Sequence, residues 1–276
     1  MAELSTLNSQ LSTLSDYHVH TPLCHHATGW PVEFAARAVA LGLGELGFAD
    51  HNPMPEQFDE WRMSRADLPR YLDEVEKARA QFPQLTIRLG LECDFLPGRE
   101  AWIDELRGLA DWDYFIGSVH YLSDGTEVDS PAAIKRYRGG DGDAIWAQYW
   151  KTYERAIRSR LFDFVAHPDL PKKFGFRPAG DLRAFYEPVI AALAETRTPF
   201  EINTAGWRKD CAEQYPAREF VEMARAADVP LLINSDAHAV AELTFGFEEA
   251  VALAKSTGYL RTARFYRREI SFVDLP

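Results

Sequence analysis

The stretch YHVHTPLCHHATG, residues 17–29, holds four of the chain's eight histidines and one of its three cysteines. Imidazole and thiol are prime transition-metal ligands, and nothing in helix or strand formation calls for such a cluster. His18 and His20 are two apart, so on an extended strand both rings point to one side. Asp236 and His238, in NSDAH, repeat that spacing far along the chain. Between these pairs, four apolar runs each close on a residue able to ligate: LGFADH on His51, IRLGLE on Glu92, FIGSVH on His120 and FDFVAH on His167. One buried histidine needs no metal, because a backbone partner satisfies it. A buried glutamate differs: an unpaired carboxylate is costly to bury, and no Lys or Arg stands beside Glu92. A metal ion would supply the missing charge.

His18, His20, His51, Glu92, His120, His167, Asp236 and His238 make eight candidate ligands, with one of His25 and His26 as a ninth. Neighbouring loop residues rarely reach the same ion, so one of those two is surplus. Imidazoles and carboxylates without paired thiols suit zinc, iron or manganese and disfavour a structural thiolate zinc site. A catalytic ion takes about three protein ligands, so this set implies at least two ions, and three if Glu92 bridges. Clustered ions of this kind hold a hydroxide and clamp a phosphoryl group for in-line displacement. Cys24, with no second thiol nearby, reads as an ordinary buried or loop cysteine, and Cys93, next to Glu92, faces the other way.

The elements that must position these residues alternate along the chain. Apolar runs predict strands at 16–20, 45–51, 86–95, 114–121, 163–169, 199–206 and 230–238. Helical spacing predicts helices near 31–41, 66–81, 99–110, 143–159, 181–195, 216–227 and 247–256. A strand-like tail covers 263–273. Seven βα repeats allow an open sheet or a barrel. Six of the seven strands end in His or Glu, and only closure brings every strand end to one mouth. The prediction is a (β/α)7 barrel spanning 16–276 as one domain, its active site at the C-terminal strand ends, after a flexible leader at 1–15.

Composition sets the remaining bounds. The 276 residues are 46% hydrophobic and 26% charged with a formal net charge of −12, which disfavours nucleic acid as a partner because such binding needs basic surface. No apolar run approaches the ~18 residues of a membrane span. Three scattered cysteines argue for a reducing, cytoplasmic setting. An anionic substrate would need local positive charge, from the metals and from basic residues after the strands: Arg208 and Lys209 first, then Lys172, Lys173 and Arg177. Glu201 or Asp169 is placed to hold a substrate amine. No feature bears on oligomeric state.

In order, the motifs HVHTPLCHHATG, GFADH, GLECDF, GSVHY, AHPD, EINTAG and NSDAH resemble the polymerase-and-histidinol-phosphatase (PHP) superfamily, from Asp16 to Phe247. HTPLC, GSVHY and EINTAGWRK are most similar to its monofunctional histidinol-phosphate phosphatases. The resemblance implies a distorted (β/α)7 barrel with a trinuclear metal centre. One ion would take His18, His20, Glu92 and Asp236; Glu92 would bridge to a second, held also by His120 and His167. A third would take His26, His51 and His238, with His26 preferred over His25. Asp50 would orient an imidazole, joining Glu92 and Asp236 in the catalytic set. The implied reaction is hydrolysis of L-histidinol phosphate in histidine biosynthesis, by attack of metal-held hydroxide on phosphorus. The alternative is another small phosphate monoester or a nucleotide. Metallohydrolases that cleave C–N bonds in similar barrels use a carboxylated lysine, and no strand here ends in Lys.

Overall fold

Short apolar runs, buried on both faces, become parallel strands packed between helices. The computed structural model describes residues 11–276. Its strands are β1 Ser15–Asp16, β2 Glu45–Phe48, β3 Thr86–Asp94, β4 Tyr114–Ser118, β5 Phe164–Val165, β6 Phe200–Asn203 and β7 Leu231–Asn234, followed by a β8 Arg261–Tyr266 and β9 Glu269–Asp274 hairpin. The main helices are α1 Pro31–Leu41, α2 Leu68–Gln81, α3 Glu100–Arg107, α4 Gly142–Arg158, α5 Arg183–Thr196, α6 Arg218–Ala226 and α7 Phe247–Ser256. The predicted helices agree with these, whereas most of the strands stop short of their predicted ends.

Seven parallel strands pair in chain order, β1 to β7, as a nearly closed barrel. Its seam between β1 and β7 is irregular. A parallel bridge joins Val19 and Ala237, the Tyr17 N–H donates to Asn234 Oδ1 at 2.8 Å, and Ser235 N–H donates to Asp16 Oδ1 at 3.0 Å. The interior is filled by Tyr17, Tyr114, Ile116, Phe164 and Leu232, with Ala263 and Phe265 of β8 closing its floor. Tyr114 fits because Gly47 and Gly90 leave room: a Cβ at Gly90 would come within 2.3 Å of its ring. The helices bury their apolar stripes outside the sheet, as with Trp146, Tyr149, Trp150 and Tyr153 of α4.

The hairpin covers the N-terminal mouth. Arg268 donates to both oxygens of Asp163, and Arg264 and Arg88 hold Glu45 at 3.1 and 3.0 Å. The strand-like tail predicted at 263–273 is therefore two strands, the antiparallel hairpin that forms this plug. The leader needs a correction too. Its residues 1–10 lie outside the described residues, but Leu11 and Leu14 are buried and Ser15 opens β1, so residues 11–15 belong to the barrel.

Candidate metal centre

The irregular seam carries the first ligand candidates. Val19 and Ala237 face the outer core at 0% exposure, and pairing them turns His18, His20, Asp236 and His238 to the other side. The seam is fixed by His20 N–H to Ala237 O at 2.9 Å and Ala237 N–H to His18 O at 3.1 Å. A second isolated bridge pairs His51 with Glu92. Asp236 and His167 take positive φ, 51° and 23°, conformations uncommon for non-glycine residues and typical of functional sites.

Glu92 lies at the centre. Its Oε2 is 3.2 Å from His18 Nε2, 3.4 Å from His20 Nε2 and 2.9 Å from His51 Nδ1. Its Oε1 is 2.9 Å from His167 Nε2 and 3.6 Å from His120 Nε2. Asp236 Oδ1 stands 3.4 Å from both His20 Nε2 and His238 Nδ1, and His26 Nε2 and His238 Nε2 approach to 3.0 Å. His25 instead turns to the Glu60 carbonyl at 3.0 Å on the exposed side. Of the adjacent pair, the structure brings only His26 to the cluster.

The far sides of the rings are anchored. Glu201 meets His18 Nδ1 at 3.1 Å with each oxygen, Asp94 meets His120 Nδ1 at 2.9 Å, and Cys24 Sγ meets His20 Nδ1 at 3.4 Å. Backbone carbonyls of Cys24 and Asp236 serve His26 and His238 at 2.5 and 3.1 Å. Such contacts set the tautomer and leave the other nitrogen as a lone pair. His18 Nε2, His20 Nε2 and His51 Nδ1 are buried with no hydrogen-bond partner, although native proteins satisfy nearly all such groups.

The electrostatics call for cations. Burial alone would raise the Glu92 carboxyl, but His51, His18 and His120 hold it well below the ordinary range. Burial opposes protonation of His120, yet Asp94 and Glu92 push it up to about 10. Burial lowers His51 to about 3 and also lowers His26 and His238, which keeps those rings neutral and able to donate to a metal. Donor atoms close enough to share one ion come together as His18–His20–Asp236, His26–His51–His238, His51–Glu92–His120 and His18–Glu92–His167. Orphaned nitrogens, neutral imidazoles and buried carboxylates fit divalent zinc, iron or manganese.

Other candidates are placed differently. Asp50 accepts from Thr21 N and Oγ1 at 2.6 and 2.5 Å, so it holds the turn after His20 and bonds no ring directly. Glu201 has no exposed surface. With its oxygens on His18, the His167 N–H, Asn203 and Asn234, it cannot take a substrate amine. Asp169 is likewise buried and bonded to Lys172 and the Ala217 N–H. Lys172 is fully buried against Asp169, Glu213 and the Gln214 carbonyl, and Arg177 pairs with Glu213, so neither faces the site. Arg208 donates to the Ser235 and Asp236 carbonyls at 3.1 and 3.0 Å, which pins the backbone behind Asp236. Lys173 and Lys209 do line the site, a cavity of about 230 Å³.

That cavity continues past His120 and Asp129 into a second lobe of about 240 Å³, with Trp61 and Glu127 in its wall. Trp61 stands edge-on to His51 at 4.4 Å and stacks on Tyr121 at 5.9 Å. Asp129 pairs with Lys173 at 2.9 Å, and burial together with Asp129 raises the Glu127 carboxyl. Sequence reasoning missed Asp94, Trp61, Glu127 and Asp129. Only Asp94 carried a signal, being two residues after Glu92 and so on the same strand face.

Comparison with known proteins agrees with this architecture. The family model described as "PHP domain" matches residues 16–205. A Deinococcus radiodurans protein named "Probable histidinol-phosphatase" is 41% identical over 262 residues, covering 94% of this chain and 99% of that one. The Bacillus subtilis histidinol-phosphatase is 26% identical, over 84% of this chain and 96% of its own. Among solved structures, histidinol phosphate phosphatase from Lactococcus lactis subsp. lactis, complexed with zinc, L-histidinol and phosphate, superposes with a TM-score of 0.74 at 21% identity, over 94% and 99% of the two chains.

Proposed function

The chain belongs to the PHP domain family, and from that premise we propose that it is a phosphoric monoester hydrolase that converts L-histidinol phosphate to L-histidinol and phosphate, a step of histidine biosynthesis. The observation that carries the reading is a single cavity lined by five imidazoles with Glu92 and Asp236, backed by the buried rings of His18 and His20 and adjoining an acidic, aromatic lobe. The near full-length similarity to histidinol-phosphatases supports the substrate.

His18, His20, Glu92 and Asp236 would hold one divalent ion, Glu92, His120 and His167 a second, and His26, His51 and His238 a third. Zinc, iron and manganese all suit these ligands. Such ions supply Lewis acidity, which brings the pKa of water toward neutrality and neutralises phosphoryl oxygens. The chain's own groups do the rest. Glu201, Asp94 and the Asp236 carbonyl keep His18, His120 and His238 aimed inward. Lys173 and Lys209 offer ammonium groups to the outer phosphate oxygens, and Arg208 holds Asp236 in place. Glu127 and Asp129 receive the substrate's ammonium group across the cavity, and Trp61 offers an aromatic wall to its imidazole. A neutral alcohol phosphate or a nucleotide would leave Glu127 without a cationic partner, Asp129 being held by Lys173, which selects against both. The enzyme would work in the cytosol: its three cysteines are free, and no helix among the described residues is long and apolar enough to cross a membrane.

The test is phosphate release by metal-analysed protein from L-histidinol phosphate, glycerol phosphate, phenyl phosphate and a nucleoside monophosphate. L-Histidinol phosphate should have the highest kcat/KM, and Glu127→Gln should raise its KM about tenfold, as expected for one charge-assisted contact, while leaving phenyl phosphate turnover unchanged. Faster hydrolysis of the nucleotide would transfer the assignment to another phosphoesterase of the family. Full activity in protein free of metal would overturn the mechanism.

A further inference from the structure

The anchors of the clustered rings are not alike. His18 and His120 have carboxylates at Nδ1, and His26 and His238 have backbone carbonyls. His20 has a thiol, Cys24 Sγ, at 3.4 Å. Cys24 has no exposed surface, and its sulfur also accepts the His51 backbone N–H at 3.3 Å. The Asp50 carboxylate, bonded to Thr21, lies against the same thiol. The other nitrogen of His20, Nε2, faces Glu92 and Asp236 at 3.4 Å each and has no hydrogen-bond partner. His20, Cys24 and His51 also lie close enough to share an ion among themselves. That arrangement would use the thiol side of the ring and strand Nε2 between two carboxylates.

We propose that Cys24 is the positioning residue of His20, linking it to Asp50, and is not itself a metal ligand. The thiol hydrogen is donated to Asp50, the sulfur accepts the His20 Nδ1–H and the His51 N–H, and Nε2 keeps its lone pair for the ion it shares with Asp236. A ligating thiolate would lose the bond to Asp50 and break the contact that fixes the ring. The inference rests on the metal centre proposed above and is independent of which phosphate ester is hydrolysed.

The test loads wild type, Cys24→Ser and Cys24→Ala with cobalt(II). Wild type should show no sulfur-to-cobalt charge-transfer absorption, and Cys24→Ser, which keeps a donor and an acceptor, should match its visible spectrum and metal content. Cys24→Ala should hold one ion about 10- to 100-fold more weakly. A charge-transfer band in wild type that disappears in Cys24→Ser would make Cys24 a ligand and overturn the proposal. Metal retention by Cys24→Ala equal to wild type would overturn it as well. Should that variant fail to fold, Asp50→Asn takes its place, since weakening the acceptor of the thiol hydrogen should loosen the same ion, and unchanged retention would count against the link. Wild type that takes up no cobalt would remove the metal centre itself, a failure distinct from the one the variants read.

Discussion

At the N-terminal mouth of the barrel three acidic groups at the strand starts each have an arginine: Asp163 faces Arg268, Asp113 faces Arg79, and Glu45 faces both Arg88 and Arg264. At the C-terminal mouth, among the described residues, no lysine or arginine bonds the carboxylate of Glu92 or Asp236, and seven imidazoles crowd around them. Both ends bury charge in the same fold, but one closes its electrostatics with side chains and the other leaves them open. The open end also carries the positive-φ residues Asp236 and His167. Barrels commonly separate stability from chemistry in this way, and here the division can be seen in which carboxylates lack a protein cation.

The strongest test of the division removes the central carboxylate. Glu92→Gln keeps the side-chain shape but loses the charge between five imidazoles. Phosphate release should fall at least ~10³-fold, the scale of losing a preorganised electrostatic group, and bound metal should fall with it. The circular dichroism spectrum should stay that of wild type, because the hairpin end is untouched. Normal metal content with full activity would show that Glu92 is a packed acid and not the pivot of the site.

The converse test opens the plug. Asp163 has its side chain 9% exposed and Arg268 28% exposed, so Arg268→Ala strands a largely buried carboxylate, a loss of about 3 kcal/mol. The deficit should depend on pH. Burial already raises the Asp163 pKa, with Arg268 opposing the rise, and removing the arginine raises it further. A carboxyl with a raised folded pKa contributes stability at low pH that is lost as pH climbs through that pKa. The drop in Tm should therefore be smallest below about pH 3, where the acid is largely protonated in folded and unfolded chains, and largest at neutral pH. Metal content per folded molecule should not change. A deficit independent of pH would mean that the arginine acts through its packing on Phe115, 5.2 Å away.

How much of each end could be read from sequence follows the same division. The ligating side chains declare themselves by chemical type and by their place at the ends of apolar runs, so the barrel and its reactive mouth follow from pattern alone. The anchors behind the rings do not. Glu201 sits in FEIN like any strand acid, and Cys24 looks like a loop thiol. Only the three-dimensional position of Nδ1 gives either one its role. The basic residues were harder still. Lys172 and Lys173 are neighbours with the same charge, yet one is sealed against Asp169 and the other reaches the cavity, a difference set by the direction of one short helical turn, Leu170–Phe174. Every ligand-bearing strand but β3, which contains Glu92, also ends before its ligand, and at Val19 and Ala237 the seam is a bridge and not a ladder; residue propensity does not encode that.

Between the two extremes lies Glu201, a charged group at the open end whose partners are all protein. Glu201→Gln keeps its size and one acceptor but weakens its hold on His18. Metal affinity or kcat should fall about 10- to 100-fold, measured as cobalt retention during dialysis against a chelator. Loss as severe as that of Glu92→Gln would place Glu201 on the ion itself, and no loss would mean that Asn203 and Asn234 alone suffice to hold the wall of the site.

The smallest expected effect belongs to the outer face of the plug. Tyr266 is 53% exposed, and its ring lies under Arg88 and Arg267, with guanidinium carbons 4.7 and 5.4 Å from its centroid. Tyr266→Leu removes the ring and keeps an apolar side chain, so the loss is that of exposed cation–π contacts, about 0.5–1 kcal/mol, or a few degrees of Tm for a chain of this size. Arg88 is still held by Glu45 at 3.0 Å, which keeps the damage local. Because Tyr266 lies at the opposite end of the barrel from Glu92, cobalt retention and phosphate release should match wild type. A change in either would mean that the plug transmits strain through the Phe265–Phe164 stack and the Tyr114 ring beside it to the metal end, and that the two mouths are coupled.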